Sequence, residues 1–304
     1  MRVSTSMLFR NGLNAMHQQQ SGLATTQQQI ATGKRLLSPS DDPVGAQRLL
    51  DLQKSLGLNE RYQQNAGRAA QRLAMEEHAL DGVVSALQRV RELAIQGNND
   101  TQTVADRRAI AIELAARLEE LVGLGNTRDA NGEFLFSGNA SHTQPFVQGA
   151  GGSIVYHGDD GARQLPVGPG YQIAVGDAGN DVFMRPSSVF QTVQDLVDAF
   201  NTPATDAASR ATLHDSVNQF LTDIDQNMDQ IGMVRAKIGA RLNAAESQKQ
   251  ANEDLALQLS EAISSIQDTD YAEAISRLNQ QLSALQAAQQ SFLRVQDLSL
   301  FRFL

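Results

Sequence analysis

Five histidines, His17, His78, His142, His157 and His214, are the side chains of this 304-residue chain best suited to proton transfer or metal ligation. None lies three or four residues from another, so no helical face carries a histidine pair for a metal ion. There is no cysteine, which removes thiol catalysis, disulfides and cysteine-bound zinc or iron–sulfur centres. Asp41 and Asp42 have the look of paired carboxylates for acid–base work. Pro43 follows them, however, and Asp before Pro is a helix start: the carboxylate caps first-turn amides and proline pre-sets the first helical φ. That reading explains the pair with no chemistry. Gly149-Ala150-Gly151-Gly152 outlines a phosphate loop but lacks the Lys-Ser/Thr and the following helix that give such a loop its grip, so it reads as a flexible loop. Asp177-Ala178-Gly179-Asn180-Asp181 offers oxygen ligands without the spacing or distal glutamate of a calcium loop. Nothing frames a nucleophile elbow. Lys34-Arg35 is either a contact for an acidic partner or a solvated turn. The expectation is no catalytic, cofactor-binding or metal site, and a protein that is not an enzyme.

Composition points the same way. With no tryptophan and 5% aromatic residues, a rich ligand pocket is disfavoured. A formal net charge of −9 argues against nucleic acid as a partner. There is no apolar run of the roughly 18 residues a membrane span needs, so no membrane partner is expected. The charge is uneven, since the first 40 positions hold no acidic residue but do hold Arg2, Arg10, Lys34 and Arg35. Met1–Arg10 has no apolar core of the length a secretory signal requires. Export, if it occurs, would use a route without a cleaved signal.

What the chain does carry is apolar periodicity. Phe9, Leu13, Met16, Gln20, Leu23, Gln27 and Ile30 follow a 4-3 spacing, and so do Ile275, Leu278, Leu282, Leu285, Gln289 and Phe292. Each end is nearly free of charge and carries six glutamines. A solvated helix normally opposes its apolar stripe with charge. A glutamine face instead suits contact with like helices, because amides donate and accept without a paired ion. The two ends read as halves of one coiled coil and as the contact surface of a polymer subunit. Its predicted residues are Phe9, Leu13, Met16, Leu23, Ile30, Ile275, Leu278, Leu282, Leu285 and Phe292.

Between the ends, Pro43 opens a helical pattern that runs to about Gln96 on a seam of Tyr62, Ala66, Ala69, Leu73, Glu76, Leu80, Val83, Leu87, Val90 and Ala94, with Glu76 the misfit. At about 1.5 Å per residue that helix would be on the order of 80 Å long. A shorter helix follows from about Val104 to Leu124. Then the character changes. From Gly132 to Val182 lie 11 of the 23 glycines, and the apolar patches become short. Asn131-Gly132 signals a turn before β-prone Phe134-Leu135-Phe136. About five strands are predicted here. A helix near Ser188–Phe200 starts behind Ser187 or Ser188. Thr202-Pro203 caps another that runs to about Ile266, with Gly232 and Gly239 as points where it could kink. Gln267–Asp270 breaks it, and a last helix runs to about Leu298. The predicted fold is mainly α with a small β insertion: a long antiparallel, coiled-coil-like helical rod formed by the N- and C-terminal halves and capped by an all-β head. Residues 1–40 and 268–304 would be a terminal assembly domain, 41–136 and 186–267 a helical rod domain, and 137–185 a small β-rich head domain, pointing outward and dispensable for folding of the rod.

Several stretches resemble the flagellin superfamily. Thr32-Gly33-Lys34-Arg35-Leu36-Leu37-Ser38-Pro39-Ser40-Asp41-Asp42-Pro43 is similar to its glycine–basic–apolar-pair signature followed by Ser-x-x-Asp-Asp. Asn131-Gly132-Glu133-Phe134-Leu135-Phe136-Ser137-Gly138, with Asn126-Thr127 before it, resembles its hairpin. Gly239-Ala240-Arg241-Leu242-Asn243 and Asp268-Thr269-Asp270-Tyr271-Ala272-Glu273-Ala274 resemble its C-terminal blocks. The opening Met1–Phe9 and the closing Ser299–Leu304 look more like the branch that joins hook to filament than like filament-forming flagellin, which stays the alternative. The resemblance implies a structural subunit of the bacterial flagellum, secreted through the flagellar type III channel without a cleaved signal peptide. It also implies an export chaperone near the C-terminus and ring assembly between a hook-side hook-associated protein and the flagellin filament. Two other classes compete on the residues alone. A membrane-inserting exported effector would need a long apolar segment, and an enzyme would need an acid–base cluster; neither is visible.

Overall fold

The computed structural model describes residues 5–149 and 152–297, except the side chains of Thr5, Ser6, Leu8, Phe9 and residues 295–297. Ser299–Leu304 and the first four residues of the opening motif lie outside the described residues, as do Ala150 and Gly151 of the glycine loop. Seven helices are described: α1 (Thr5–Thr32), α2 (Pro43–Gly97), α3 (Val104–Gly125), α4 (Gly179–Phe183), α5 (Val189–Asn201), α6 (Ala207–Gln267) and α7 (Tyr271–Asp297). Four short strands lie between α3 and α4: β1 (Phe146–Gln148), β2 (Ile154–Tyr156), β3 (Gln164–Gly168) and β4 (Tyr171–Ala174). The protein is thus mostly helical with small two-stranded sheets.

Local chemistry sets most helix starts. Asp42 Oδ1 accepts from the Gly45 amide at 2.9 Å, with Pro43 as the first residue of α2. Asp41 Oδ2 accepts from the Ser38 and Leu37 amides at 2.8 and 3.0 Å. These bonds, Ser38 first, hold the Asp41 carboxyl below its ordinary range. Both aspartates are therefore turn and cap groups. Thr103 and Asp106 form a reciprocal capping box on α3. Ser188 caps α5 through the Gln191 amide at 3.3 Å. Helix α6 departs from expectation: Thr202 ends α5, and Asp206 caps α6 through the Ser209 amide at 2.7 Å. Proline and threonine at 202–203 mark the connection instead. Neither Gly232 nor Gly239 interrupts α6, which stays α-helical through both.

The chain divides by packing into two units, Met1–Leu58 with Asp254–Leu304, and Asn59–Glu253. In the second, α2, α3, α5 and α6 share one core with the hairpins. Leu73, Leu80, Leu87, Leu114, Val193, Ile224 and Ile231 are buried in the same cluster as Phe146, Val167, Ile173 and Val175. Phe136, Phe146, Phe183 and Phe190 pack edge-to-face, tilted or, for Phe183 on Phe190, stacked, with centroids 4.9–5.7 Å apart. This cluster joins the turn after α3, β1, α4 and α5.

About five strands were expected from Phe134 onward, with an all-β head over 137–185. Among the described residues there are four strands, in two antiparallel hairpins, plus the helix α4. Phe146 pairs with Tyr156 in one hairpin, and Leu165 with Ile173 in the other. Phe134-Leu135-Phe136 is buried but makes only an isolated bridge, Arg128 to Phe134. The reason is Arg72 on α2. Its guanidinium takes the Phe134 and Val175 carbonyls at 2.9 and 3.0 Å, and Asp129 and Glu133 at 2.7 and 3.2 Å. The backbone acceptor a strand partner would have used is given to a helix side chain.

Candidate assembly surface

The surface predicted from the terminal seams lies in the first unit. A short backbone link sets it up. Gly33 takes φ +70°, a left-handed turn that glycine adopts without strain, and ends α1. Lys34 then pairs antiparallel with Asp268. The Arg35 amide donates to the Gln267 carbonyl at 2.7 Å and the Thr269 amide to the Gly33 carbonyl at 2.9 Å. Arg35 Nη2 also donates to the Ile266 carbonyl at 2.8 Å. Lys34-Arg35 is therefore a structural clasp between the turn after α1 and the connection from α6 to α7. Asp270 caps α7 through the Ala272 and Glu273 amides at 2.8 and 3.2 Å.

From that clasp α1 and α7 pack against each other. The covered face of α1 runs Gly12, Met16, Gln19, Leu23, Thr26, Ile30, spaced 4-3-4-3-4. That of α7 runs Ala274, Leu278, Gln281, Leu285, Ala288, Phe292 with the same spacing. Small residues allow close approach. A methyl in place of the Gly12 hydrogen would stand 3.2 Å from the Phe292 ring, and one at Gly22 would stand 3.3 Å from Gln281 Nε2.

Of the predicted contact residues, Met16, Leu23, Ile30, Leu278, Leu285 and Phe292 are half-buried on this face, and Leu13 beside it. Phe9 belongs to α1, and its side chain lies outside those described. Ile275 and Leu282 are not on the seam: they are 49% and 37% exposed. Gln20 and Gln27 are exposed as well. The 4-3 spacing of Ile275, Leu278, Leu282 and Leu285 mixed two adjacent faces of α7. Ala274, Gln281 and Ala288 hold the covered positions because their bulk fits the short distance between the helices. The signal that would have found them is the recurrence of Gly, Ala and Thr at heptad positions in both ends.

Tyr271, Ile275, Leu282 and Leu293 form instead a second, solvent-facing stripe on α7, between 37% and 59% exposed. Successive residues of a helix turn by about 100°, which sets these four within a narrow arc beside the covered face. Gln286 and Gln289 fall in the same arc and are exposed too.

Elsewhere the candidate chemistry resolves into structure. His214 joins α6 to the α2–α3 turn, its Nδ1 2.6 Å from Asn98 Oδ1 and its Nε2 2.9 Å from Asp100 Oδ1. Asp177 forms a two-pronged ion pair with Arg241 at 2.8 Å. A groove of about 540 Å³ is lined by Arg68, Arg72, Asp129, Glu133 and Arg163, where Arg72 and Arg163 both pair with Glu133.

A helical chain whose two ends pair with each other around a small-sheet middle is of the flagellin type. Residues 3–141 match the bacterial flagellin N-terminal helical region and residues 221–304 the bacterial flagellin C-terminal helical region. The chain belongs to the flagellin family. It is 27% identical over 317 residues to flagellar hook-associated protein 3 of Escherichia coli, covering 99% of each chain. The flagellin of Bacillus subtilis is 25% identical over 297 residues, covering 95% of this chain and 94% of that one. Among solved structures, flagellar hook-associated protein 3 of Legionella pneumophila has the same fold, with a TM-score of 0.68 at 24% identity over 71% of this chain and 98% of that chain.

Proposed function

We propose that this chain is a structural subunit of the bacterial flagellum that joins the hook to the filament. It is exported by the flagellar type III system without a cleaved signal peptide, bound by an export chaperone near its C-terminus. It assembles as a ring through its terminal helices, between a hook-side hook-associated protein and the flagellin filament. In this reading 1–40 and 268–304 are the assembly segments, the two helical halves run as an antiparallel rod, and the hairpin region faces outward.

One observation carries the assembly reading. Among the described residues of the first unit only Thr26 and Ala274 are fully buried, while Tyr271, Ile275, Leu282 and Leu293 stay exposed on a face of α7 set apart from its charged Glu273, Arg277 and Arg294. Apolar side chains left about half in water on a neutral, amide-rich face gain about 1 kcal/mol each when covered. Like subunits can cover them without burying charge. The match to hook-associated protein 3, 27% identical over 99% of each chain against 25% over 95% of this chain for the Bacillus subtilis flagellin, supports the junction role over the filament role.

Immunogold labelling of purified hook–filament preparations tests it. Label confined to the junction is the expected result, and label along the filament would give the flagellin alternative. A deletion strain should shed monomeric flagellin beside bare hooks; intact filaments would defeat the proposal.

A further inference from the structure

Glu76 interrupts the apolar seam of α2, and the fold does not let it out. It is 0% exposed, between buried Leu73 and Leu80. Its Oε1 accepts from the Asp177 amide at 2.9 Å, and its Oε2 has no hydrogen-bond partner. The charged groups around it come from three elements. Asp177 lies in the segment that leaves β4, Arg241 comes from α6, and Arg72 from α2 itself. Both cations are already engaged. Arg241 holds Asp177 with two bonds of 2.8 Å, and Arg72 holds Asp129 and Glu133 of the turn after α3. An ionised Glu76 would thus be a buried anion beside another anion, with no cation of its own. A neutral carboxyl keeps the accepted bond and avoids that cost. Burial first, then the Asp177 charge, push the group up to about 8, against the Asp177 amide bond and the Arg241 and Arg72 charges.

We propose that Glu76 is a proton-controlled latch: as the neutral acid it lets the Asp177 amide dock on α2, and once it has given its proton to solvent base the buried anion, set beside the Asp177 carboxylate, is relieved only when that contact opens to water. The segment 175–178 is the link between the β3–β4 hairpin and α4. At its ends the Val175 amide donates to the Arg163 carbonyl at 2.8 Å and the Gly179 amide to the Phe136 carbonyl at 2.9 Å. The hairpin has a second anchor, in which Asn252 Nδ2 and Asn65 Nδ2 donate to the Val167 and Pro166 carbonyls, both at 2.9 Å. Arg72 Nε also donates to the Val175 carbonyl at 3.0 Å and Arg241 holds the Asp177 carboxylate, so release at Glu76 opens the contact at the Asp177 amide while both ends of the hairpin stay tied.

The test uses the full chain. Amide hydrogen exchange at Asp177, corrected for the intrinsic chemical rate, is compared at about pH 6 and pH 9 in the wild type and in Glu76→Gln, which keeps an accepting oxygen and has no proton to lose. In the wild type, opening at Asp177 should rise on the order of tenfold or more across that range. In Glu76→Gln it should not change. A flat wild type, or the same rise in Glu76→Gln, overturns the latch. Carbon NMR titration of the Glu76 carboxyl keeps the proposal testable should the variant not fold. A midpoint well above the ordinary 4.5 is expected, and a midpoint at the ordinary value overturns it.

Discussion

The two packing units spend their apolar residues in opposite ways. Asn59–Glu253 buries a continuous core, with Leu80, Phe146, Phe183 and Ile231 at 0% exposure. Met1–Leu58 with Asp254–Leu304 pairs two helices through a single face on which half-buried Met16, Leu23, Ile30, Leu278, Leu285 and Phe292 alternate with glycine, alanine, threonine and glutamine, and leaves Leu50, Leu257, Ile275 and Leu282 in water. A core of the first kind is stable within one chain. Ordering a residue costs about 1–2 kcal/mol of backbone entropy, and a seam this thin returns little apolar burial against it. Low internal burial and exposed apolar side chains are what a surface completed by neighbours requires. The two units separate holding a chain folded from holding chains together.

The sharpest break in that comparison comes from placing one charge in each unit. Leu80→Asp should destabilise the protein by about 4 kcal/mol or more, since the carboxylate has no partner in a filled core. Leu282→Asp should leave the melting temperature unchanged, because the site is 37% exposed, yet abolish incorporation at the hook tip. Thermal melts with a motility assay read both. Equal losses of melting temperature would mean that α7 is packed on its outer face within one chain.

Phe183→Ala comes next. Its ring touches Phe136, Phe146 and Phe190, so truncation should cost about 3–5 kcal/mol by denaturant unfolding. The same aromatic cluster bears on the hairpin region. Removing Ser141–Val182 would take away Phe146, Val167, Ile173, Val175 and Val182, five members of the shared core. Such a deletion should weaken cooperative helix melting by circular dichroism, contrary to what a freely dispensable insertion would show.

Limited proteolysis sharpens the contrast with a smaller effect. Cleavage should remove the two terminal segments first and leave a fragment close to Asn59–Glu253, as the thin seam opens at lower free-energy cost. Gly12→Val should speed that loss without altering the melt of the fragment, because the added methyls meet the Phe292 ring. Uniform digestion along the chain would remove the distinction between the units.

The last contrast is read by pH. Glu76 has a folded value of about 8 against an ordinary 4.5, so the folded state holds the proton more tightly. Its stabilising contribution is fully present below the ordinary value, and is lost as pH rises to about 8. Between mildly acidic and alkaline buffers the melt of the second unit should fall in the wild type and fall less in Glu76→Gln. An identical slope in both would place the pH dependence elsewhere.

Much was legible in the residues alone. Asp42-Pro43, Ser188 and Asp268–Asp270 marked helix boundaries because caps are local chemistry, settled within a turn of the chain. The length of α2 followed from a heptad pattern that Glu76 alone breaks, and the family from motifs spread over both halves. Which face of α1 and α7 meets the other was decided only in three dimensions. Heptad spacing fits two adjacent faces of a helix equally well, and the choice fell to Gly12, Thr26, Ala274 and Ala288 through the distance of closest approach, which exists only once both helices are placed. Glu76 shows the same limit. Its position in an apolar seam was visible, but its proton depends on Asp177, 101 residues away in sequence, and on the Arg241 that Asp177 already holds.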